Sequence, residues 1–216
     1  MKLRNFVSRY LSLERYFSRV DFSQYSLDVL EFRKIRASDR LEMQYEAWSR
    51  IYEYPLVIDK IKQFSYGPDI SIHNSSWGFG DCHIVFKDAL ETQFGHVVNS
   101  DLLPSQVPNT EVWDITAEPP TDYIEKFDAV LNVSTVEEVD VDHLLIIKNL
   151  LDQIKPGGLL VITFDLPGMQ IMKLEKILAA KLQEFDDNLN GANSELPNSK
   201  YEHLNCGLLV LRKEEN

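Results

Sequence analysis

Two consecutive segments of the chain decide its fold: FDAVLNVSTVEEV at residues 127–139 and LLDQIKPGGLLVITF at residues 150–164. The first segment begins, and the second ends, with an apolar run of the length of a buried strand. Between these runs, apolar residues at helical spacing predict a helix over 142–154, and the sequence KPGG at 155–158 predicts the turn that ends it. The order strand, helix, strand is typical of a parallel sheet.

The same alternation extends in both directions from this pair of segments. A further helix is predicted over 170–183. Short apolar runs predict strands at 70–73, 96–99, 110–113, 127–133, 159–164 and 206–213. We therefore expect an α/β protein whose main domain, residues 66–216, is a mostly parallel sheet covered by helices on both faces.

The N-terminal third has a different pattern of apolar residues. Apolar residues spaced by threes and fours, first from Leu27 to Ile35 and then from Leu41 to Tyr52, predict helices. Pro55 interrupts this pattern, which resumes over 56–64. Residues 1–65 are therefore predicted to form a helical cap on the sheet domain.

Composition argues against several classes of protein. The formal net charge is −12, from 34 acidic and 22 basic residues, which disfavours nucleic acid as a partner. Cys82 and Cys206 are far apart and lack the spacing of a metal framework or a disulfide scaffold. No stretch approaches the roughly 20 apolar residues of a membrane span. We expect a cytoplasmic location.

Polar side chains follow the predicted strands, at the edge where open parallel sheets bind ligands. Asp101 follows the second strand, where a carboxylate can accept hydrogen bonds from both hydroxyls of a ribose. Asp114 follows the third strand and could accept from an adenine amino group. Asn132 and Ser134 stand at the end of the fourth strand, and Asp165 follows the fifth.

The order of these pieces resembles the class I S-adenosylmethionine-dependent methyltransferases, from about residue 69 to residue 165. The most specific part is the FDxV strand at 127–130 and the KPGG turn at 155–158, with a helix between them. The resemblance implies a Rossmann-like, mostly parallel seven-stranded sheet, with S-adenosylmethionine as cofactor and S-adenosylhomocysteine as product.

The first motif departs from the pattern of that family, which is an acid followed by glycines in a GxGxG arrangement. Asn74 stands in place of the acid, and only Gly78 and Gly80 remain of the glycines. Small residues would still let the backbone approach the methionine part of the cofactor, while Trp77 would stack on the ligand or wall its pocket. The resemblance implies a cofactor site made by Asn74, Ser75, Ser76, Trp77, Gly78, Gly80, Asp101, Asp114, Asn132 and Ser134.

Methyl transfer from a sulfonium to a hydroxyl needs alignment, exclusion of water and a general base. The candidate catalytic residues at the expected rim are Asp165, His83, Glu138 and His143. His73 is also near the rim, but a structural role is favoured for it. Asp165 could hold a divalent ion with Asp140 or Asp142, although helix capping is the favoured reading of those two, and no metal site is predicted.

The predicted function is an S-adenosylmethionine-dependent O-methyltransferase that acts on a sugar or a surface glycan, in carbohydrate modification or polysaccharide biosynthesis. The prediction of this acceptor rests on three observations. They are the acidic charge, a faint resemblance to methyltransferase-like proteins encoded with surface-polysaccharide genes, and the composition of the cap. The cap supplies aromatic and acidic residues that suit a sugar: Tyr45, Trp48, Tyr52, Tyr54, Glu42, Glu46 and Glu53. The expected partners are a small-molecule or glycan acceptor, a glycosyltransferase, which could be a domain of the same larger chain, and a second copy of the chain in a homodimer.

Two alternatives remain open at this point. The altered first motif favours a catalytically inactive methyltransferase-like protein that serves in binding or assembly. A related sheet could instead bind NAD or a nucleotide sugar, but the phosphate-binding patterns GxGxxG and GxxxxGK are missing from the sequence. A nucleic-acid methyltransferase is weaker still, because Asn132-Val133-Ser134-Thr135 replaces the signature expected after the fourth strand.

Overall fold

The computed structural model describes residues 20–36, 49–64, 67–78, 81–105, 107–166, 168–178 and 205–215. The described strands form a seven-stranded sheet in the order β1-β7-β6-β5-β2-β3-β4. Their bounds are β1 (Leu27–Lys34), β2 (Ser71–Ser75), β3 (His96–Asp101), β4 (Thr110–Val112), β5 (Phe127–Val133), β6 (Ile154–Asp165) and β7 (Cys206–Lys213).

The sheet is parallel from β6 through β5, β2 and β3 to β4, and β7 runs antiparallel to both of its neighbours. The chain order reverses between β2 and β5, so this is the switch point of the sheet. The register there pairs Asn74 with Leu131 and Ser75 with Asn132. The predicted mostly parallel seven-stranded α/β sheet is therefore confirmed.

Helices cover both faces of the sheet. The helices α1 (Arg50–Phe64) and α2 (Asp81–Gln93) contribute to one buried cluster, and α3 (His143–Leu151) and α4 (Ile171–Leu178) to the other. Neighbouring residues of a strand alternate between the clusters: Leu160 belongs to the second and Val161 to the first. Both faces are thus packed, which explains why the central strands read as continuous apolar runs.

The helical prediction over Leu27–Ile35 is wrong, because these residues include strand β1. This strand pairs antiparallel with β7 and forms the edge of the sheet. An irregularity between Val29 and Glu31 shifts the alternation by one residue, so that Leu27 and Phe32 enter the same core cluster. The bulge therefore gives β1 an apolar spacing that resembles the spacing in a helix.

Two further sequence predictions need correction. Pro55 does not break the helical pattern but lies inside α1, where it removes one backbone hydrogen bond near the start of the helix. The KPGG sequence lies within β6 instead of forming a turn before it. Gly157 has φ +83°, and the pairing of β5 with β6 is irregular between Phe127 and Ala129, so the glycines make a bulge at the start of the strand.

Some predictions fall outside the described residues. They include the helical run from Leu41 to Trp48 and the part of the predicted 170–183 helix beyond Leu178. No helix within the described residues is long and apolar enough to cross a membrane.

Candidate functional site

A cleft of about 360 Å³ opens at the carboxyl ends of β2, β3, β4 and β5. Helices α1 and α2 close one side of it, and the segments that follow the strands close the other. This is the position at which open α/β sheets bind ligands. The described lining consists of Arg50, Tyr54, Asn74, Ser76, Trp77, Gly78, His83, Phe86, Asp101, Leu102, Trp113, Asp114, Ile115, Thr116, Val133, Thr135 and Val139.

The turn after β2 lines the cleft, and its backbone adopts a conformation that favours glycine. Gly78 has φ +82°, and a Cβ atom at this position would lie 2.8 Å from the His83 ring. Its backbone N–H donates a hydrogen bond of 3.0 Å to the Asp101 carboxylate. Ser76, directly after β2, has φ 56° although it is not glycine. The turn and the end of β3 are therefore joined at the floor of the cleft.

The segment after β4 forms the opposite wall. Trp113 is buried, and its indole nitrogen has no hydrogen-bond partner among the described residues. The Asp114 carboxylate accepts hydrogen bonds of 2.8 Å from the backbone N–H and the hydroxyl of Thr116. From behind, the buried Asn149 amide of α3 donates to the carbonyls of Ile115 and Ala117 at 3.0 and 2.9 Å. This amide fixes the wall of the cleft to the core.

A polar group on α1 faces the turn after β2. The Arg50 guanidinium forms an ion pair of 2.5 Å with Glu53 and lies 5.9 Å from the centre of the Tyr54 ring. The Tyr54 hydroxyl is hydrogen-bonded to Nδ1 of His83. Burial lowers the pKa of His83, and the Arg50 guanidinium lowers it further. His83 is therefore neutral at pH 7, with one ring nitrogen held by Tyr54.

Behind Arg50 lies a cluster of buried carboxyls. Burial alone would raise the pKa of Glu53, but the Arg50 guanidinium and the hydroxyls of Ser134 and Ser49 more than offset this and lower it. Glu137 accepts a hydrogen bond of 2.6 Å from the backbone N–H of Asp165, while its second oxygen has no partner among the described residues. Burial raises the pKa of Glu137 to about 8.

The structure brings most of the predicted cofactor residues to one place. Six of the ten line the cleft: Asn74, Ser76, Trp77, Gly78, Asp101 and Asp114. Ser75 and Asn132 are buried within the sheet, hydrogen-bonded to each other at 3.1 Å. The Ser134 hydroxyl donates to Glu53 and lies outside the lining. Gly80 lies outside the described residues.

Of the predicted catalytic residues, His83 lines the cleft and the other three lie outside its lining. Asp165 is half-buried and accepts a hydrogen bond of 3.2 Å from the thiol of Cys206. Burial raises the pKa of Asp165. Glu138 is exposed in the short 3-10 helix that follows β5. Buried His143 begins α3, and its Nδ1 accepts the backbone N–H of Gln170 at 3.1 Å.

His73 occupies the structural position that was favoured for it. Its ring is buried in β2 and is bonded to Gln153 at 2.6 Å and to Ser100 at 2.7 Å. Burial lowers the pKa of His73 to about 4. Both ring nitrogens therefore serve a neutral network inside the protein.

The described residues contain no group of three or more His, Cys, Asp or Glu side chains that could hold a metal ion. Asp142 is the N-cap of α3, where it accepts from the backbone N–H of Leu144 at 3.2 Å, and it also pairs with Lys173 at 3.0 Å. These contacts explain its position without a metal.

Sequence reasoning missed Arg50 and Trp113 as lining residues of the cleft. The sequence RIYEY does place Arg50, Glu53 and Tyr54 on one face of a helix, at spacings of three and four. This spacing was a usable signal, and the position of Trp113 directly before the predicted ligand contact Asp114 was another.

No protein-family model matches this sequence, and no curated protein is detectably similar to it. The fold does match solved structures. The cyclase SpnF aligns over 88% of this chain and 89% of its own, with TM-score 0.54 and 12% identity. A methyltransferase assigned in Bacillus halodurans covers 74% of this chain and 99% of its own, with TM-score 0.49 and 11% identity.

The CurJ carbon methyltransferase aligns over 77% of this chain and 54% of its own, with TM-score 0.48 and 10% identity. A likeness at this level of identity concerns the fold, because one fold hosts unrelated reactions. The strand order, the antiparallel β7 and the cleft at the switch point agree with the resemblance seen in the sequence. The chain thus has a Rossmann-like α/β fold, which it shares with SpnF.

Proposed function

We propose that the protein binds S-adenosylmethionine in this cleft and transfers its methyl group to a hydroxyl of a sugar or a surface glycan. The observation that carries the proposal is the hydrogen bond from Gly78 N–H to the Asp101 carboxylate. It joins the turn expected beneath the methionine part to the acid expected at the ribose. This hydrogen bond supports the proposal that the two predicted contacts belong to one site.

The remaining lining residues fit the parts of this cofactor. Asp114 offers a carboxylate for an adenine amino group, and the Trp113 indole N–H is a buried donor without a partner among the described residues. Adenine carries ring nitrogens that such a donor could satisfy. Gly78 has no side chain and a positive φ, so a ligand can approach its backbone closely.

When bound, the cofactor supplies an activated methyl group on a sulfonium. The chain contributes water exclusion through the buried walls made by Trp77, Phe86 and Trp113. His83 contributes a neutral base. In the tautomer that donates from Nδ1 to the Tyr54 hydroxyl, its Nε2 lone pair is available for the acceptor's proton.

The choice of a sugar hydroxyl as acceptor rests on charge and on the base. A net charge of −12 disfavours a polyanionic acceptor. A neutral imidazole in the cleft suits a hydroxyl, which must lose its proton during transfer. A glycosyltransferase would be the natural partner, because it makes the glycosidic product that carries such hydroxyls.

A second candidate is a binding or assembly protein without catalysis. It is favoured by Asn74, which replaces the acid of the first motif and donates from its amide to Asn99 at 3.0 Å inside the sheet. This contact gives Asn74 a structural role that needs no cofactor.

The test is a transfer assay with methyl-labelled S-adenosylmethionine and a panel of free sugars and glycan fragments. We expect labelled product and S-adenosylhomocysteine only when a hydroxylated acceptor is present. A protein that binds the cofactor but labels no sugar or glycan would refute the acceptor class. A protein that binds neither cofactor nor product would favour the second candidate.

A further inference from the structure

We propose that Arg50 binds the carboxylate of the methionine part of S-adenosylmethionine and that buried Glu53 positions its guanidinium. This inference rests on the proposed function and names the residue that recognises the charged end of the cofactor. Arg50 lies on α1, far in sequence from the motifs that carry the resemblance.

The guanidinium of Arg50 is only partly used by the protein. Nη1 donates to Glu53 at 2.5 Å and to Ser49 at 3.2 Å. Among the described residues, no hydrogen bond involves Nη2 or Nε of Arg50. A guanidinium has five N–H donors in a planar fork that matches a carboxylate. Three donors therefore remain for a ligand, on a side chain that lines the cleft and is 18% exposed.

Glu53 is built to hold Arg50 in place. Its side chain is fully buried, and it accepts hydrogen bonds from Ser49 at 2.6 Å and from Ser134 at 2.5 Å, besides the ion pair with Arg50. A buried carboxylate is costly unless charge and hydrogen bonds compensate it. Here both oxygens are engaged, which fixes the geometry of the Arg50 side chain at the wall of the cleft.

The position of Arg50 selects the methionine end of the ligand. Arg50 lies over the Tyr54 ring, Tyr54 is bonded to His83, and the His83 ring packs on Gly78. This series of contacts leads to the turn after β2. Among the described lining residues, Arg50 is the one cation. The carboxylates of Asp101 and Asp114 lie at the ends of β3 and β4, on the side expected for ribose and adenine.

The experiment compares two ligands that differ in the proposed contact. S-adenosylhomocysteine contains the amino-acid carboxylate, and 5′-methylthioadenosine lacks it. Each is titrated calorimetrically into the parent and into Arg50→Gln. Because Arg50→Gln leaves Glu53 buried without its counterion, the double variant Arg50→Gln/Glu53→Gln is measured as well. Lys155→Gln is the matched control, since Lys155 pairs with Asp128 away from the cleft.

We expect both Arg50 variants to weaken S-adenosylhomocysteine binding by about tenfold or more, as charge-assisted hydrogen bonds require. Binding of 5′-methylthioadenosine should change by less than about twofold, and Lys155→Gln should bind both ligands like the parent. The parent could bind both ligands while the Arg50 variants weaken the binding of both equally, or of neither. Either result would refute the role of Arg50 and leave the proposed cofactor site in place. If the parent binds neither ligand, the proposed function itself fails.

Discussion

Replacement of Asp101 by alanine tests the cofactor site at its most specific contact. The carboxylate ends β3, lines the cleft and accepts the Gly78 N–H at 3.0 Å. In the proposed complex it also accepts from the ribose hydroxyls, and one hydrogen bond to a charged group contributes about 1.5–3 kcal/mol. Asp101 is partly exposed, so we use the lower end of this range. Asp101→Ala should therefore weaken binding by at least about tenfold, or ~1.4 kcal/mol.

The assay is calorimetric titration with S-adenosylhomocysteine. Asp101→Asn should lose nearly as much affinity, because an amide keeps the shape of the side chain but not its charge. Asp28→Asn is the control, since Asp28 is exposed on β1 at the opposite edge of the sheet from β4. Equal affinity of Asp101→Ala and the parent would show that the ribose is not bound at this strand end.

Three further predictions concern the surroundings of the cleft. Burial raises the pKa of Glu137 from 4.5 to about 8, so the folded protein binds more protons than the unfolded chain between these values and loses stability as pH rises. In thermal unfolding, the free energy of unfolding of Glu137→Gln should rise relative to that of the parent by up to about 4 kcal/mol from pH 5 to pH 8. A difference that stays constant over this range would exclude the raised pKa. Asn149→Leu should leave the buried carbonyl of Ile115 and the carbonyl of Ala117 without their donor, which should lower stability by about 1–3 kcal/mol and weaken cofactor binding. Unchanged affinity would mean that this wall of the cleft needs no support from α3. His83→Ala should abolish methyl transfer while S-adenosylhomocysteine still binds, and full activity of this variant would exclude His83 as the base. Because the pKa of His83 is lowered from 6.5, the transfer rate of the parent should be flat above about pH 6.5 and fall only below it.

The central sheet could be predicted from the sequence because its strands are buried on both faces. The runs FDAVLNV and CGLLVLRK were predicted with the bounds that the structure shows, 127–133 and 206–213. Each run has an uninterrupted apolar centre, residues 129–131 in the first and 208–211 in the second, with polar residues near its ends. Strand β1 could not be recognised, because the irregularity after Val29 breaks the alternation on which strand prediction depends.

The candidate site was predictable only where it follows strand ends. Asp101, Asp114 and the turn after Asn74 were found in this way, and all three contribute to the cleft. Arg50 was not, because its role depends on Glu53 and on the hydroxyl of Ser134, which is 81 residues away in sequence. The spacing of Arg50, Glu53 and Tyr54 is a local signal for a shared helix face, but the contact of Glu53 with Ser134 that points this face at the cleft leaves no pattern in a single sequence.

The most direct test of the account is calorimetric titration of the parent protein with S-adenosylmethionine and S-adenosylhomocysteine, with NAD as the control ligand. We predict micromolar binding of both sulfur ligands and no measurable binding of NAD, which would establish that the turn from Asn74 to Gly78 works as a variant of the glycine-rich motif. Failure of both sulfur ligands to bind, or a preference for NAD, would contradict the central claim that this cleft is an S-adenosylmethionine site.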